Sequence, residues 1–180
     1  MKQLIITIVS FVIVLTTAAQ DHTPVDKGSS VKFDIRNFGI TVSGSFSGLA
    51  GDIHFDPARP ESGSFNVTIN TASVNTGNNK RDEHLRQEEY FDVKKFPLIR
   101  FISGKIKKGD KAGSYSMEGK LSIKGTTKII SFPFVASQRE NGYLFTAEWK
   151  LNRRDFKVGG KSLILSDNLT VYLSVLAVRK

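Results

Sequence analysis

The feature that most constrains this chain is a strand-like alternation of apolar and polar side chains that recurs along most of its length. In residues 31–36 apolar side chains alternate strictly with charged ones, and in residues 64–70 Phe65, Val67 and Ile69 again lie two apart. A period of two places every second side chain on the same face of a strand. The alternation therefore predicts half-buried β-strands that face a common core.

The pattern returns in later segments that are separated by short turns. These segments are residues 98–106, 115–123, 128–135, 143–151 and 168–178. Pro133 marks an edge, a bulge or a strand end, because proline has no N–H to donate to a ladder. About eight to ten strands with one short helical excursion favour an all-β fold, either an antiparallel sandwich or a barrel. A barrel of about eight strands is filled by its own side chains or holds one small ligand.

One stretch, residues 73–101, interrupts the strands with a polar turn, a helical pattern and an aromatic return. Asn78 follows a glycine and can cap a helix, and residues 79–89 contain neither glycine nor proline. A helix this short and polar depends on tertiary packing, for which Leu85, Tyr90 and Phe91 are available. We therefore predict a lid with a polar rim and an apolar underside.

The first nineteen residues are predicted to be a signal peptide. A basic start at Lys2 precedes an apolar run over residues 4–15 and the small-residue sequence of residues 17–19. The apolar run is shorter than the roughly 20 residues that span a bilayer. We expect a periplasmic or otherwise exported protein whose single mature domain covers residues 20–180, with a flexible start at residues 21–28.

The cysteine content and the net charge limit the covalent anchors and the classes of partner that this chain can have. The chain has no cysteine, which excludes disulfides and a cysteine-anchored lipoprotein, and its net charge is +9. Basic proteins attract anionic partners, but here the basic residues are spread over strands and hairpins, and an exported protein rarely meets nucleic acid. We predict no nucleic-acid partner and keep a transient membrane-surface contact as a secondary possibility. The sequence leaves the oligomeric state open, a homodimer included.

Catalysis and metal binding find little support in the sequence. The histidines are His22, in the predicted flexible start, His54 and His84, and no His-Glu helix motif is present. No serine lies in a Gly-x-Ser-x-Gly elbow between a strand and a helix. Asp82 and His84 supply part of a dyad without an evident nucleophile. We predict no catalytic residue, no metal and no required cofactor.

Several short motifs occur in a fixed order along nearly the whole mature chain. They include Ala72-Ser73-Val74-Asn75-Thr76-Gly77-Asn78, Lys80-Arg81-Asp82 with His84-Leu85, Phe91-Asp92-Val93, Gly119-Lys120-Leu121, and Leu151-Asn152-Arg153 with Asp155-Phe156. In combination they resemble the YceI family. The resemblance implies an exported, lipocalin-like antiparallel barrel whose interior holds a long isoprenoid or similar amphiphile. The family's glycine after the Asp-Phe pair is replaced here by Lys157.

Aromatic and aliphatic side chains are the candidates for a cavity that holds the tail. They are Phe33, Ile35, Phe38, Phe46, Phe65, Leu85, Phe91, Phe101, Phe145 and Trp149. Each buried methylene of a lipid tail contributes about 0.8 kcal/mol, so hydrocarbon contact alone can supply affinity. The alternative is that these side chains fill a solid core.

Polar side chains are the candidates for a rim that contacts the head group. They are Asn75, Asn79, Arg81, Asp82, His84, Arg153 and Asp155. The alternative is structural, with an arginine paired to Asp82 or Asp155 and tying the helix to the barrel.

The predicted function is that of a carrier or scavenger of an isoprenoid lipid, of quinone or polyprenyl type, without chemistry. The alternatives are a filled-core structural or protein-binding barrel and a hydrolase. An apolar tunnel that opens near His84 would favour lipid carriage, and a filled interior would favour the structural alternative.

Overall fold

The computed structural model describes residues 20–180, and the predicted signal peptide lies outside the described residues. The strands within this range are β1 Gln20–Asn37, β2 Ile40–Phe46, β3 Ala50–Phe55, β4 Ser64–Asn70, β5 Leu98–Lys108, β6 Ser114–Ile123, β7 Thr126–Arg139, β8 Gly142–Asn152 and β9 Leu165–Arg179. The α-helix α1 covers Asn79–Leu85, and single-turn 3-10 helices cover Pro60–Ser62, Thr71–Ser73 and Arg153–Phe156.

Neighbouring strands pair antiparallel, and the pairing of β1 with β9 closes the sheet into a barrel. The strands β2 and β3 lie end to end along β1, since β2 pairs with its C-terminal half and β3 with its first three residues. Together they fill one position of the wall, which therefore has eight strands around it. The prediction of an antiparallel barrel of about eight strands with one short helical excursion is confirmed.

The N-terminal segment, residues 21–28, is part of β1, and the prediction that it is flexible is wrong. His22 pairs with β3 on one side and with β9 on the other. Its side chain is fully buried, and its ring meets Tyr143 edge-on with centroids 5.4 Å apart. Local alternation is broken here by Pro24 and by a register shift after Val25, so the segment takes its structure from long-range pairing.

Aromatic side chains fill one end of the barrel. We call this group the aromatic plug, and its members are Phe55, Phe65, Tyr115, Phe134 and Phe145. The ring of Phe55 contacts each of the others edge-on, with centroids 5.2 to 6.3 Å apart. Such edge-to-face contacts add to the stabilisation from burial. This end of the barrel is therefore a packed core.

The opposite end, which we call the mouth, carries α1, the turn between β1 and β2, and residues 153–164. Leu121, Ile123, Phe156 and Val158 form a smaller buried cluster there, and it covers part of the opening. The polar and irregular parts of the chain are thus collected at one end of the barrel, opposite the plug.

The helix α1 is shorter than the predicted 79–89. The side chain of Asn78 caps it, as predicted, by accepting a hydrogen bond from the N–H of Arg81 at 3.1 Å. After Leu85 the chain turns back under the helix, because the N–H of Phe91 donates to the carbonyl of Leu85 at 3.0 Å. This reversal ends the helix and brings Phe91 towards the barrel interior.

Pro133 lies inside β7, at the point where pairing with β8 stops. The strand β7 pairs with β6 from Thr126 to Val135, but with β8 only from Phe134 onwards. The missing N–H of proline thus falls at the end of a ladder, as its chemistry requires.

Candidate functional site

Between the aromatic plug and the mouth, the barrel encloses an apolar cavity of about 380 Å³. Its lining runs from Phe65 and Phe145 of the plug to Arg81, His84 and Leu85 of α1. The interior is therefore filled at one end and hollow over the rest, and the hollow part reaches His84.

Nine of the ten predicted tail-cavity residues line this cavity. They are Phe33, Ile35, Phe46, Phe65, Leu85, Phe91, Phe101, Phe145 and Trp149. They come from five strands and the α1 region, and alternation turns the strand members inward. That these side chains contact a lipid stays a prediction.

Phe38 does not line the cavity, and the prediction that it does is wrong. It belongs to the two-residue turn between β1 and β2, and its side chain is 70% exposed. Along β1, the inward positions after Phe33 are Ile35 and Asn37, so that Phe38 falls on the outer face and beyond the strand end.

The segment between β4 and β5 forms the predicted lid, with an apolar underside. Leu85 and Phe91 line the cavity from this side. Phe91 meets Phe46 of β2 edge-on with centroids 5.4 Å apart, and Phe46 contacts Phe33 of β1 at 5.7 Å. The lid is thus held to the barrel wall by a row of rings.

Two inward-facing glycines let aromatic rings lie against the wall. A Cβ atom on Gly44 would lie 2.3 Å from the ring of Phe33, its partner in β1, and one on Gly119 would lie 2.5 Å from the ring of Phe101. Each ring therefore occupies the space of an absent side chain. This packing explains how a phenylalanine-rich barrel keeps an open interior. Glycine inside a strand pattern is a known signal of such close approach.

Trp149 lines this apolar cavity and carries a buried polar atom. Its indole Nε1 is buried and has no hydrogen-bond partner within the described part of the chain. The side-chain oxygen of Asn37, also in the lining and near the mouth, is buried and lacks a partner in the same range. Buried polar groups in native proteins are usually paired. Both groups are therefore candidates for contact with a polar atom of a ligand. Asn37 was not among the sequence candidates.

Asp82 and Arg81 hold the lid together through a shared partner, Thr76. The carboxylate of Asp82 is buried and accepts hydrogen bonds from the backbone N–H and the hydroxyl of Thr76, at 2.8 and 2.6 Å. The Nε of Arg81 donates to the Thr76 hydroxyl at 2.7 Å, and its Nη2 donates to the Thr76 carbonyl at 2.8 Å. Asp82 is thus a structural residue, whereas Arg81 also lines the cavity.

Arg153 fixes the segment that follows the last 3-10 helix. Its side chain is 4% exposed. The guanidinium donates hydrogen bonds to the carbonyls of Val158, Gly160, Leu165 and Ser166 and to the carboxylate of Asp167. The ion pair is therefore with Asp167, at 2.8 Å. Asp155, which sequence proximity had suggested as the partner, is exposed and lies outside the cavity lining.

The other predicted rim residues divide between the cavity edge and the surface. The backbone of Asn75 exchanges two hydrogen bonds with Ser45 of β2, at 2.8 and 3.0 Å, and Asn79 is exposed at the start of α1. The ring of His84 lies edge-on to Tyr90, with centroids 4.9 Å apart, and lines the cavity. Arg81, His84 and Arg153 thus border the cavity, and the other four candidates do not.

Lys124 connects two loops at the mouth. Its Nζ donates to the backbone carbonyls of Glu89 at 2.8 Å and Lys157 at 3.0 Å. Burial lowers the pKa of this ammonium group, and the nearby carboxylates of Asp92, Glu88 and Glu89 act in the opposite direction.

Two properties of residues 20–180 concern metal binding and membrane insertion. In this range no group of three or more His, Cys, Asp or Glu side chains is placed to hold a metal ion. No helix in the same range is long and apolar enough to cross a bilayer.

Comparison with known sequences identifies relatives over almost the whole described barrel. The sequence model of the YceI-like domain matches residues 23–177. The UPF0312 protein YE1254 of Yersinia enterocolitica is 33% identical over 156 residues, which cover 83% of this chain and 80% of that protein. The UPF0312 protein YPTB2234 of Yersinia pseudotuberculosis is 33% identical over 157 residues, with the same shares covered.

Comparison with solved structures gives the same fold. BcnA of Burkholderia cenocepacia superposes with a TM-score of 0.77 at 25% identity, covering 82% of this chain and 94% of that one. The YceI protein of Campylobacter jejuni superposes with a TM-score of 0.69 at 28% identity, and the superposition covers 100% of this chain and 99% of that one. A polyisoprenoid binding domain from Saccharophagus degradans superposes with a TM-score of 0.68, covering 91% of this chain and 100% of that one. At 12% identity, this likeness shows the fold alone.

Proposed function

Since this chain belongs to the family of YceI-like domains, we propose that its barrel binds the apolar tail of an isoprenoid amphiphile and carries or scavenges it without chemical change. The observation that carries this proposal is the apolar cavity of about 380 Å³ between the plug and the mouth. Small-molecule sites in proteins typically occupy roughly 300–1,000 Å³. The cavity is therefore large enough for a ligand and too large to count as a packing defect.

Hydrocarbon burial supplies enough free energy for tight binding. A tail with roughly 15 buried carbons gains on the order of 12 kcal/mol at about 0.8 kcal/mol per methylene. Loss of translational freedom and of chain flexibility opposes this gain by several kcal/mol. The remainder still permits micromolar or tighter dissociation constants.

The polar atoms of the cavity favour a ligand that also carries oxygen. The indole N–H of Trp149 needs an acceptor, and Asn37 offers a second polar contact nearer the mouth. A buried donor left without a partner costs about 1–3 kcal/mol. A quinone or a polyprenyl alcohol combines an oxygen acceptor with a branched apolar tail, and thus suits this cavity better than a pure hydrocarbon.

The proposal includes a cellular location. Residues 1–19 direct export, and the mature protein works in the periplasm with no cofactor other than its lipid ligand. Isoprenoid lipids reside in membranes, so a periplasmic carrier meets its cargo at a membrane surface. Whether it does so as a monomer or as a homodimer does not alter the binding site proposed here.

Two measurements test this function. Protein purified from its native compartment is extracted with organic solvent, and mass spectrometry is expected to detect an isoprenoid amphiphile in the extract. Trp149 is the sole tryptophan of the chain, so its fluorescence reports directly on the cavity when delipidated protein is titrated with a short-chain isoprenoid quinone. An extract without amphiphile, together with unchanged Trp149 fluorescence, would rule out the proposed function and favour a filled structural barrel.

A further inference from the structure

Four large apolar side chains are exposed together at the mouth. We call them the apolar tip: Phe38 is 70% exposed, Ile40 70%, Leu163 101% and Ile164 46%. Phe38 lies in the turn between β1 and β2, Ile40 is the first residue of β2, and the other two lie in the segment before β9. The backbone N–H of Phe38 donates to the carbonyl of Ile164 at 2.9 Å, which joins the two segments. The two segments that carry the tip are therefore adjacent at the mouth.

The turn that displays Phe38 is an unfavourable one for this residue. Phe38 has a φ of 51° and Gly39 a φ of 73°, so both central residues of the two-residue hairpin are left-handed. Such turns favour Asn-Gly or Gly-Gly, because a bulky side chain is strained at positive φ. Left-handed central residues match the twist of a hairpin, but an exposed phenylalanine at the first of them adds strain and buries little apolar surface. Strain of this kind is typically retained for function.

The apolar tip borders the opening of the cavity. Asn37 directly precedes Phe38 and pairs with both Ile40 and Leu165. Asn37 and Leu165 themselves line the cavity. A surface that binds the tip would thus lie against the opening through which a ligand enters and leaves.

Basic residues flank the tip. Arg36 lies two residues before Phe38, and Lys161 lies two residues before Leu163, and both are exposed. Arg154 and Lys157 are exposed on the adjoining segment, together with one acidic residue, Asp155. Two further carboxylates lie on the packed strands: Asp167 is paired with Arg153, whereas Asp34 accepts a hydrogen bond from the neutral Ser43 hydroxyl and keeps its charge. Four exposed basic side chains thus face two carboxylates that have no basic partner. The charge around the tip is therefore positive, and complements an anionic surface.

We propose that the apolar tip docks this protein on an anionic lipid bilayer, with the mouth of the barrel facing the membrane. Exposed aromatic and aliphatic side chains enter the interface between head groups and acyl chains, and flanking lysines and arginines contact anionic head groups. A lipid then passes between bilayer and cavity without crossing water. The nature of the cargo rests on the proposed function, whereas the docking surface stands on its own.

Vesicle flotation tests the docking surface. The exported protein is used, with its N-terminus verified by sequencing so that no signal segment contributes. Vesicles of phosphatidylglycerol and phosphatidylethanolamine are compared with vesicles of phosphatidylcholine alone. We expect binding to the anionic vesicles, at least tenfold weaker binding to the neutral ones, and a marked loss at 0.5 M salt, since salt screens exposed charges.

A matched pair of variants locates the contact. Ile40 in the tip and Ile129 on the outer wall at β7 are 70% and 71% exposed. We expect Ile40→Asp, and the double variant Phe38→Ser with Leu163→Ser, to bind anionic vesicles at least tenfold more weakly. Ile129→Asp is expected to stay within twofold of the unmodified protein. Equal losses in Ile40→Asp and Ile129→Asp, or no vesicle binding by the unmodified protein, would overturn the proposal.

Two further readouts separate this inference from its rivals. Light scattering gives the mass in solution, and a dimer that dissociates in the tip variants would assign the tip to an interface between copies of this chain and overturn membrane docking. Trp149 fluorescence gives the affinity for a water-soluble short-chain quinone, which we expect the tip variants to retain. If the unmodified protein binds the ligand but not vesicles, membrane docking is overturned and the carrier function stands. If it binds vesicles but not the ligand, the carrier function is overturned and membrane docking stands.

Discussion

The indole ring of Trp149 lies almost flat on the ring of Phe132, with centroids 4.4 Å apart and planes inclined by 16°. This stacking fixes the direction of the indole N–H, which has no partner within residues 20–180. A buried polar donor held rigidly in the wall of an apolar cavity has a strong directional preference for an acceptor, because few competing contacts are available there. Ligand recognition at this position is therefore expected to depend on one atom as well as on the ring.

Substitution of Trp149 separates these two contributions. Trp149→Phe keeps an aromatic ring and removes the N–H, so we expect affinity for an isoprenoid quinone to fall about tenfold, which corresponds to about 1.4 kcal/mol for one lost hydrogen bond. Trp149→Ala also removes the ring and is expected to lose more. Isothermal titration calorimetry measures the affinity of both variants, since neither contains the tryptophan needed for a fluorescence titration.

The control for this prediction is a ligand without oxygen. A branched hydrocarbon of the same length should bind Trp149→Phe at least as well as it binds the unmodified protein, because no buried donor is then left unpaired. An equal loss of affinity for both ligands would mean that the ring alone, and not the N–H, is recognised.

The second prediction concerns the glycine beneath Phe33. Gly44→Ala places a Cβ atom where the Phe33 ring now lies, 2.3 Å away, and Gly44 is not in the left-handed region, so the effect is steric. We expect the ring to move into the cavity, ligand affinity to fall at least tenfold, and the free energy of unfolding to fall by about 1–3 kcal/mol. Titration with a short-chain quinone and urea unfolding measure the two effects.

Gly104→Ala is the matched control for Gly44→Ala. Its Cβ would meet only the carbonyl of Glu118, at 3.4 Å, which is ordinary contact. We expect affinity within twofold of the unmodified protein. If both variants bind equally well, Phe33 has room to move sideways, and the glycine does not protect the cavity.

Much of the fold could be predicted from the sequence, because alternation is a local property of each strand. Most strands occur where the alternation predicts them, and Asn78 caps the helix as its side chain suggests. The start of β1 could not be found in this way, since His22 is ordered by strands distant in sequence. Alternation also says nothing about a turn residue, which is why Phe38 was assigned to the interior.

The polar part of the site was harder to predict because polar side chains choose partners in three dimensions. Arg153 pairs with Asp167, fourteen residues away, instead of the nearby Asp155. Asp82 binds Thr76 and supports the lid from within. The interior was predicted more successfully because a side chain in a strand points inward at every second position, and the sequence shows this alternation directly.

The third prediction concerns the aromatic plug, which sets the depth of the cavity. Phe145 contacts Phe65 and Phe55, with centroids 5.1 and 5.3 Å apart. Phe145→Ala is expected to lower the free energy of unfolding by about 3–5 kcal/mol. It should also extend the cavity towards the closed end, so that the preferred ligand tail becomes longer. Urea unfolding and affinities for a series of prenyl chain lengths measure these effects.

Phe38→Ala is the matched control for the plug variant, since Phe38 is 70% exposed. We expect little change in stability and no change in the preferred tail length in solution. An unchanged length optimum in Phe145→Ala would show that the plug supports the barrel without limiting the ligand.

The last prediction concerns stability at acid and alkaline pH. The N–H of Ala58 hydrogen-bonds the carboxylate of Asp56 at 2.9 Å and, with a smaller contribution from Arg59, lowers its pKa below the ordinary 3.8. Burial raises the pKa of Tyr115 and Tyr143 above the ordinary 10.0. All three pKa shifts stabilise the folded protein at pH values between the ordinary pKa of aspartate, 3.8, and that of tyrosine, 10.0.

The sign of each contribution fixes the pH at which it is lost. A carboxyl with a lowered pKa stabilises the folded state above the unfolded value, and this stability disappears as pH falls through the folded pKa. A phenol with a raised pKa stabilises the folded state below about pH 10, and this stability disappears as pH rises through the folded pKa. Urea midpoints are therefore expected to decrease below about pH 4 and above about pH 10. Asp56→Asn should reduce the loss of stability at acid pH, and Tyr143→Phe should reduce the loss at alkaline pH. If either variant shows the same pH dependence as the unmodified protein in its own range, that residue does not cause the loss of stability there.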